Sequence, residues 1–90
     1  MKRHYTIIVK GKVQGVFYRA STRQKAEALH ITGFAQNQGD GSVLIEAEGE
    51  EAALKELVTW CWKGSTNAEV TSVSIEEKES IGYLSFSVKR

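Results

Sequence analysis

Gly33 to Gly64, GFAQNQGDGSVLIEAEGEEAALKELVTWCWKG, decides the fold. Phe34 to Gln38 predicts a short strand. Gly39-Asp40-Gly41 is a hairpin turn, because glycine accepts positive φ and aspartate bonds its own backbone. Ser42 to Glu48 predicts the returning strand. Val43, Ile45 and Ala47 face one way, and Ser42, Glu46 and Glu48 face the other, with Leu44 an apolar exception on that outer face. After Gly49 the period changes from two to 3.6. Leu54, Leu57, Val58 and Cys61 make the stripe of a helix lying on a sheet, over about Glu50 to Lys63. Glu50 and Glu51 suit its first turn and Gly64 its end.

Working outward, Tyr5 to Val9 predicts a strand of aromatic and β-branched residues ended by a glycine. Gly11 to Tyr18 is a loop. Arg19 to about Ile31 predicts a helix with Thr22, Ala26 and Leu29 on one face, stopped before Gly33. Beyond Gly64, Ser65 to Ala68 is a loop and Val70 to Ile75 a fourth strand. Gly82 marks a turn, and Tyr83 to Lys89 predicts a last strand with Leu84, Phe86 and Val88 on one face. The order is β-α-β-β-α-β with an extra C-terminal strand. This is the α+β, ferredoxin-like split β-α-β layout: an antiparallel or mixed sheet with two helices on one face.

Ninety residues, 41% hydrophobic and 26% charged, form one domain over residues 1–90 with a single core. No apolar run approaches a membrane span, and Lys10 and Lys12 interrupt the only early apolar segment. One cysteine makes no internal disulfide, so a cytoplasmic location is expected. One cysteine and two distant histidines, His4 and His30, do not build a metal site. Net charge is +1, against general binding to nucleic acid or membranes. The average hides an asymmetry: residues 1–25 hold seven lysines and arginines and no acid, and the rest hold five against eleven acids. The N-terminal quarter can therefore attract a small anion, although solvated surface lysines are an equal reading of most of these residues.

The chemistry is concentrated in GKVQGVFYR, Gly11 to Arg19. A glycine loop entering a helix presents free N–H groups and the positive end of the helix dipole, which together suit an anion. Arg19 at the helix start opposes the dipole, but its planar fork of donors suits phosphate or carboxylate. Taken alone, a glycine loop before a helix is more often merely a turn than an anion site. Asn37, in the second segment, can orient a water through its carboxamide. Its local pattern reads more readily as part of the hairpin.

Together the two segments resemble the two signatures of the acylphosphatase family. The first, an aliphatic residue followed by glycine, VQGV, any residue, Phe and Arg, is met by VKGKVQGVFYR, Val9 to Arg19. Tyr18 stands at the Phe position, and its hydroxyl needs a partner. The second is matched throughout Gly33 to Gly49. The resemblance extends along the chain. Related proteins often have Gly-Pro after the second helix, where this chain has Gly64-Ser65.

The resemblance implies hydrolysis of acyl phosphates to a carboxylate and inorganic phosphate by direct attack of water, with no metal or other cofactor. It implies Arg19 and the backbone amides of Gln14, Gly15, Val16, Phe17 and Tyr18 as the phosphate site, and Asn37 as the residue that positions the water. The expected ligands are a small acyl phosphate and phosphate or sulfate anions, with no nucleic acid or membrane partner, and a monomer is expected. Cys61 is read as core. Trp60 and Trp62 are read as helix-end packing, His4 and His30 as surface or boundary residues, and Glu76, Glu77 and Glu79 as a solvated turn. Arg23, one turn beyond Arg19, is read as an exposed helix residue. A nucleic-acid module and a non-catalytic phosphate-binding module are the rival functions for the same layout.

Overall fold

The computed structural model describes residues 2–90. Its elements are β1 (Lys2–Lys12), α1 (Tyr18–Ala28), β2 (Thr32–Asn37), β3 (Val43–Glu50), α2 (Glu51–Lys63), β4 (Glu69–Lys78) and β5 (Phe86–Lys89). The sheet order is β4-β1-β3-β2-β5. β1 and β3 are the central antiparallel pair, with Ile7 opposite Ile45 and Val9 opposite Val43. β5 joins the far edge parallel to β2. This is the expected ferredoxin-like layout with its added strand.

Alternation decides the two faces. Ile7, Val9, Ala35, Val43, Ile45 and Ala47 are buried in one core. Leu54, Leu57 and Cys61 of α2 and Thr22 and Ala26 of α1 are buried, as their spacing predicts, while Leu29 and Val58 are only partly buried and Tyr18, expected in the loop, is the third buried residue of α1. In β2, Asn37 shares its face with Gly33 and Ala35, the face that the helices cover.

Several expectations need correction. β1 continues through Lys10, Gly11 and Lys12, because β4 goes on pairing with them after the pairing with β3 ends at Val9. Gly11 shifts the register with β4 rather than ending the strand. α1 begins at Tyr18 and stops at Ala28, and Ile31 is a buried core residue of the connection. Glu76 and Glu77 lie in β4, not in a turn, where exposed charge suits an edge strand. β5 begins at Phe86, so Leu84 is outside it and 97% exposed. Trp60 packs against the core, while Trp62 is 53% exposed.

The largest correction concerns the outer face of the sheet. His4 is 1% exposed and Glu48 is also buried. Each ring nitrogen of His4 faces an oxygen, Nε2 that of Glu46 at 2.6 Å and Nδ1 the Glu79 carbonyl at 2.9 Å. Thr6 donates to the same Glu46 oxygen. The Glu48 carboxylate accepts from the amides of Ile81, Gly82 and Tyr83. Residues 79–83 are thereby strapped across this face and lead directly into β5. Phe34 lies here too, beneath Lys89 Nζ at 4.1 Å and against Tyr83, so it does not offer an open aromatic platform.

Burial works to raise the Glu48 carboxyl, but the three amides and nearby His4 outweigh it and hold it below the usual range. A depressed carboxyl stabilises the fold above its unfolded value of 4.5, and that contribution is lost as pH falls through the lower folded value. Glu48→Ala is expected to cost at least about 1.5 kcal/mol at pH 7, roughly 6 °C or more in Tm. Thermal melts between pH 3 and 7 check this: the gap between variant and wild type should close at the acid end.

Candidate active site

The site is built where β1 runs into α1. Gly15 takes φ 75°, which a side chain would strain, and lets the chain turn back toward the helix. Phe17 follows in a left-handed conformation as the N-cap of α1. It makes no side-chain cap, and the first turn of the helix contains no acid. Among the described residues, the amides of Gly15, Val16, Phe17 and Tyr18 have no backbone carbonyl partner. The positive end of α1 is therefore left open at this loop.

Contacts from three other segments hold the loop. Gln14 Nε2 donates to the carbonyls of Gln38 at 2.8 Å and Ser42 at 2.9 Å, tying the loop to the β2–β3 hairpin. Ser65 Oγ donates to the Val16 carbonyl at 2.7 Å. The Tyr18 hydroxyl finds its partner in the Cys61 carbonyl, 2.8 Å away. Its ring is buried beside Trp60 and against Gly64, where an added Cβ would lie 2.6 Å from a ring carbon. Burial, with Cys61 alongside, pushes the Tyr18 phenol well up, and burial pushes the Cys61 thiol up to about 12. Neither supplies a nucleophile at neutral pH; both are core.

A cleft of about 230 Å³ opens beside this loop. Gly15, Phe17, Tyr18, Arg19 and Asn37 line it together with Val88. It is smaller than the ~300–1,000 Å³ of pockets that enclose drug-sized ligands. Arg19 Nη1 donates to the Lys89 carbonyl at 2.5 Å, so β5 fixes one edge of the guanidinium. Asn37 comes from the end of β2, and its Oδ1 is buried without a hydrogen-bond partner. An unpaired buried acceptor costs about 1–3 kcal/mol.

Five of the seven residues singled out from the sequence line this cleft. Gln14 and Val16 do not; they anchor the loop through a side chain and a carbonyl. Arg23 lines a neighbouring cleft and pairs with Glu27 at 3.3 Å. Sequence reasoning missed the Lys89 carbonyl, a backbone atom with no signature, and Ser65, visible only as a departure from Gly-Pro. No group of three His, Cys, Asp or Glu side chains is arranged to hold a metal among the described residues. No described helix is long and apolar enough to cross a membrane.

The acylphosphatase family profile matches residues 5–88. The chain belongs to the acylphosphatase family. It is 44% identical over 87 residues to the acylphosphatase of Shewanella amazonensis, covering 96% of each chain. The solved acylphosphatase of Coxiella burnetii superposes with a TM-score of 0.95 at 40% identity, over 98% of this chain and 93% of that one. That of Bacillus subtilis gives 0.94 at 38% identity over the whole of both chains. The chain is thus an acylphosphatase-type enzyme, and its reaction class is the hydrolysis of acyl phosphates.

Ser65 supports the loop through its hydroxyl, which a proline at that position could not provide. Ser65→Ala should raise KM for acetyl phosphate about 2–10-fold, the value of one neutral hydrogen bond, and Ser65→Thr should restore it. Steady-state release of phosphate measures both.

Proposed function

We propose that the chain hydrolyses acyl phosphates by in-line attack of water on phosphorus. Arg19 and the amides of Gln14 to Tyr18 hold the phosphoryl group, and Asn37 aims the water. The observation that carries this reading is the unpaired Asn37 Oδ1, buried in the same small cleft as Arg19. A water in the cleft gives that acceptor the donor it lacks, and its oxygen lone pair then faces the bound phosphorus.

In the step, the water oxygen forms a bond to phosphorus and the bridge between phosphorus and the acyl oxygen breaks. The carboxylate leaves with the electron pair. Both water protons end on inorganic phosphate, so R–CO–OPO₃²⁻ and H₂O give R–COO⁻ and H₂PO₄⁻. The leaving group is a weak base and needs little protonation. Asn37 is not a base, and the first proton passes to a phosphoryl oxygen of the substrate. The chain's work is to hold the phosphoryl group and to stabilise charge on its equatorial oxygens. Four features of the chain suit it to that. The amides of the loop lack backbone partners, the helix start carries no acid, the guanidinium keeps most of its five donors free, and the cleft is small. Residues 1–90 act as one acylphosphatase-like domain in this reading, and the enzyme works as a monomer. Phosphate and sulfate inhibit by occupying the same cradle.

Asn37→Ala should lower kcat for acetyl phosphate roughly 10²–10³-fold, as for loss of one charge-stabilising donor, with the fold retained by circular dichroism. Activity within about threefold of wild type would end the water-positioning role. Arg19→Lys should lose nearly as much as Arg19→Ala, because a point charge does not replace the fork. Phosphate release from the purified variants reads both.

A further inference from the structure

The polar groups of the cleft account for a phosphoryl group and leave the other half of the substrate unexplained. Among the described residues, six large hydrophobic side chains stand open to solvent, and two of them border this cleft: Phe17, 82% exposed, and Val88, 39% exposed. Phe17 is held at φ 60°, ψ 25°, an uncommon backbone for a bulky residue. Its neighbours turn inward: Val16 packs against the core and Tyr18 is buried. The loop therefore places one aromatic ring outside the core, at the mouth of the cleft. Val88 approaches from β5, next to Lys89, whose carbonyl fixes Arg19. Arg19 is the one charged side chain in the lining, and the phosphoryl group takes it.

In an acyl phosphate a single oxygen joins phosphorus to the acyl carbon. A phosphoryl group held by the loop amides thus sets the acyl frame directly against the loop's own side chains. What it meets there is apolar and, at Phe17, planar. We propose that Phe17 and Val88 form the acyl-binding platform, and that they select acyl phosphates with an apolar, preferably aromatic, acyl group. The assignment rests on the phosphate-site reading above. An aromatic acyl group stacks on the Phe17 ring and covers Val88, and both surfaces leave water. A small acyl group such as acetyl covers little of either.

The test compares benzoyl phosphate with acetyl phosphate on wild type, Phe17→Ala and Val88→Thr. The quantity read is the ratio of the two kcat/KM values. The difference in intrinsic reactivity of the two substrates is the same in every protein and cancels between them, as does any shared weakening of the phosphate cradle. Phe17→Ala should lower the ratio about 3–10-fold, the range measured for aromatic pairs, with the change in KM for benzoyl phosphate. Val88→Thr, which keeps the shape and exchanges a methyl for a hydroxyl, should lower it about twofold. A ratio unchanged in both variants overturns the platform while leaving the phosphate site standing. Should Phe17→Ala not melt cooperatively, Val88→Thr decides by itself. A wild type that hydrolyses neither substrate removes the phosphate-site reading, and the platform with it.

Discussion

A loop can leave its amides without internal partners only if other contacts hold its shape. That constraint organises this molecule. Gln14 fastens the loop to the hairpin, Ser65 to the segment after α2, and Tyr18 to the end of α2 itself. None of these bonds uses the amides of Gly15 to Tyr18. The geometry of the Val16 peptide shows the consequence. In a trans peptide the carbonyl and the following N–H point opposite ways. Fixing the Val16 carbonyl on Ser65 therefore fixes the Phe17 N–H on the other side. The anchors set the direction of the donors without occupying them, which is the condition for a preorganised anion cradle.

The arginine depends on a longer chain of contacts. Its guanidinium is held by a carbonyl of β5, a strand of four residues on the sheet edge. So short an edge strand has little pairing of its own. The segment before it is tied to the outer face of the sheet by His4 and by the three amides on Glu48. A polar cluster on the face away from the helices thus holds the segment that precedes the strand whose carbonyl meets Arg19. Carboxylates and a histidine are buried on what alternation alone makes a solvent face because residues 79–83 cover them.

What the sequence reveals follows from how local each signal is. The hairpin at Gly39 to Gly41, the alternation of Val43, Ile45 and Ala47, and the stripe Leu54, Leu57, Cys61 are short-range patterns, and each matches the structure. The length of β1 is hidden because its basic residues read as loop, while one neighbour at each end, β3 at Lys2 and Arg3 and β4 at Lys10 and Lys12, carries the strand through them. His4 and Glu48 read as surface because their cover, residues 79–83, is distant in sequence. Leu84 fits an alternating pattern, but β5 pairs with β2 only from Phe86 onward, opposite Gly33. Residue type alone points Arg19 at an anion but leaves Asn37 in the hairpin; only the resemblance gives Asn37 a chemical role. The resemblance places the two in one site and both line the same cleft, but the contact that joins loop to hairpin, Gln14 across 24 and 28 positions, has no local signal.

In the proposed function the amides of the β1–α1 loop, the Arg19 guanidinium and the Asn37 carboxamide face one bound oxyanion. Titration of ¹⁵N-labelled protein with inorganic phosphate measures this most directly. The resonances of residues 14–18, Arg19 Nε and Asn37 Nδ2 should shift together along one saturable curve, while those of residues 79–83 stay in place. Shifts spread over the lysines of the surface, or an Asn37 side chain that does not respond, would contradict it.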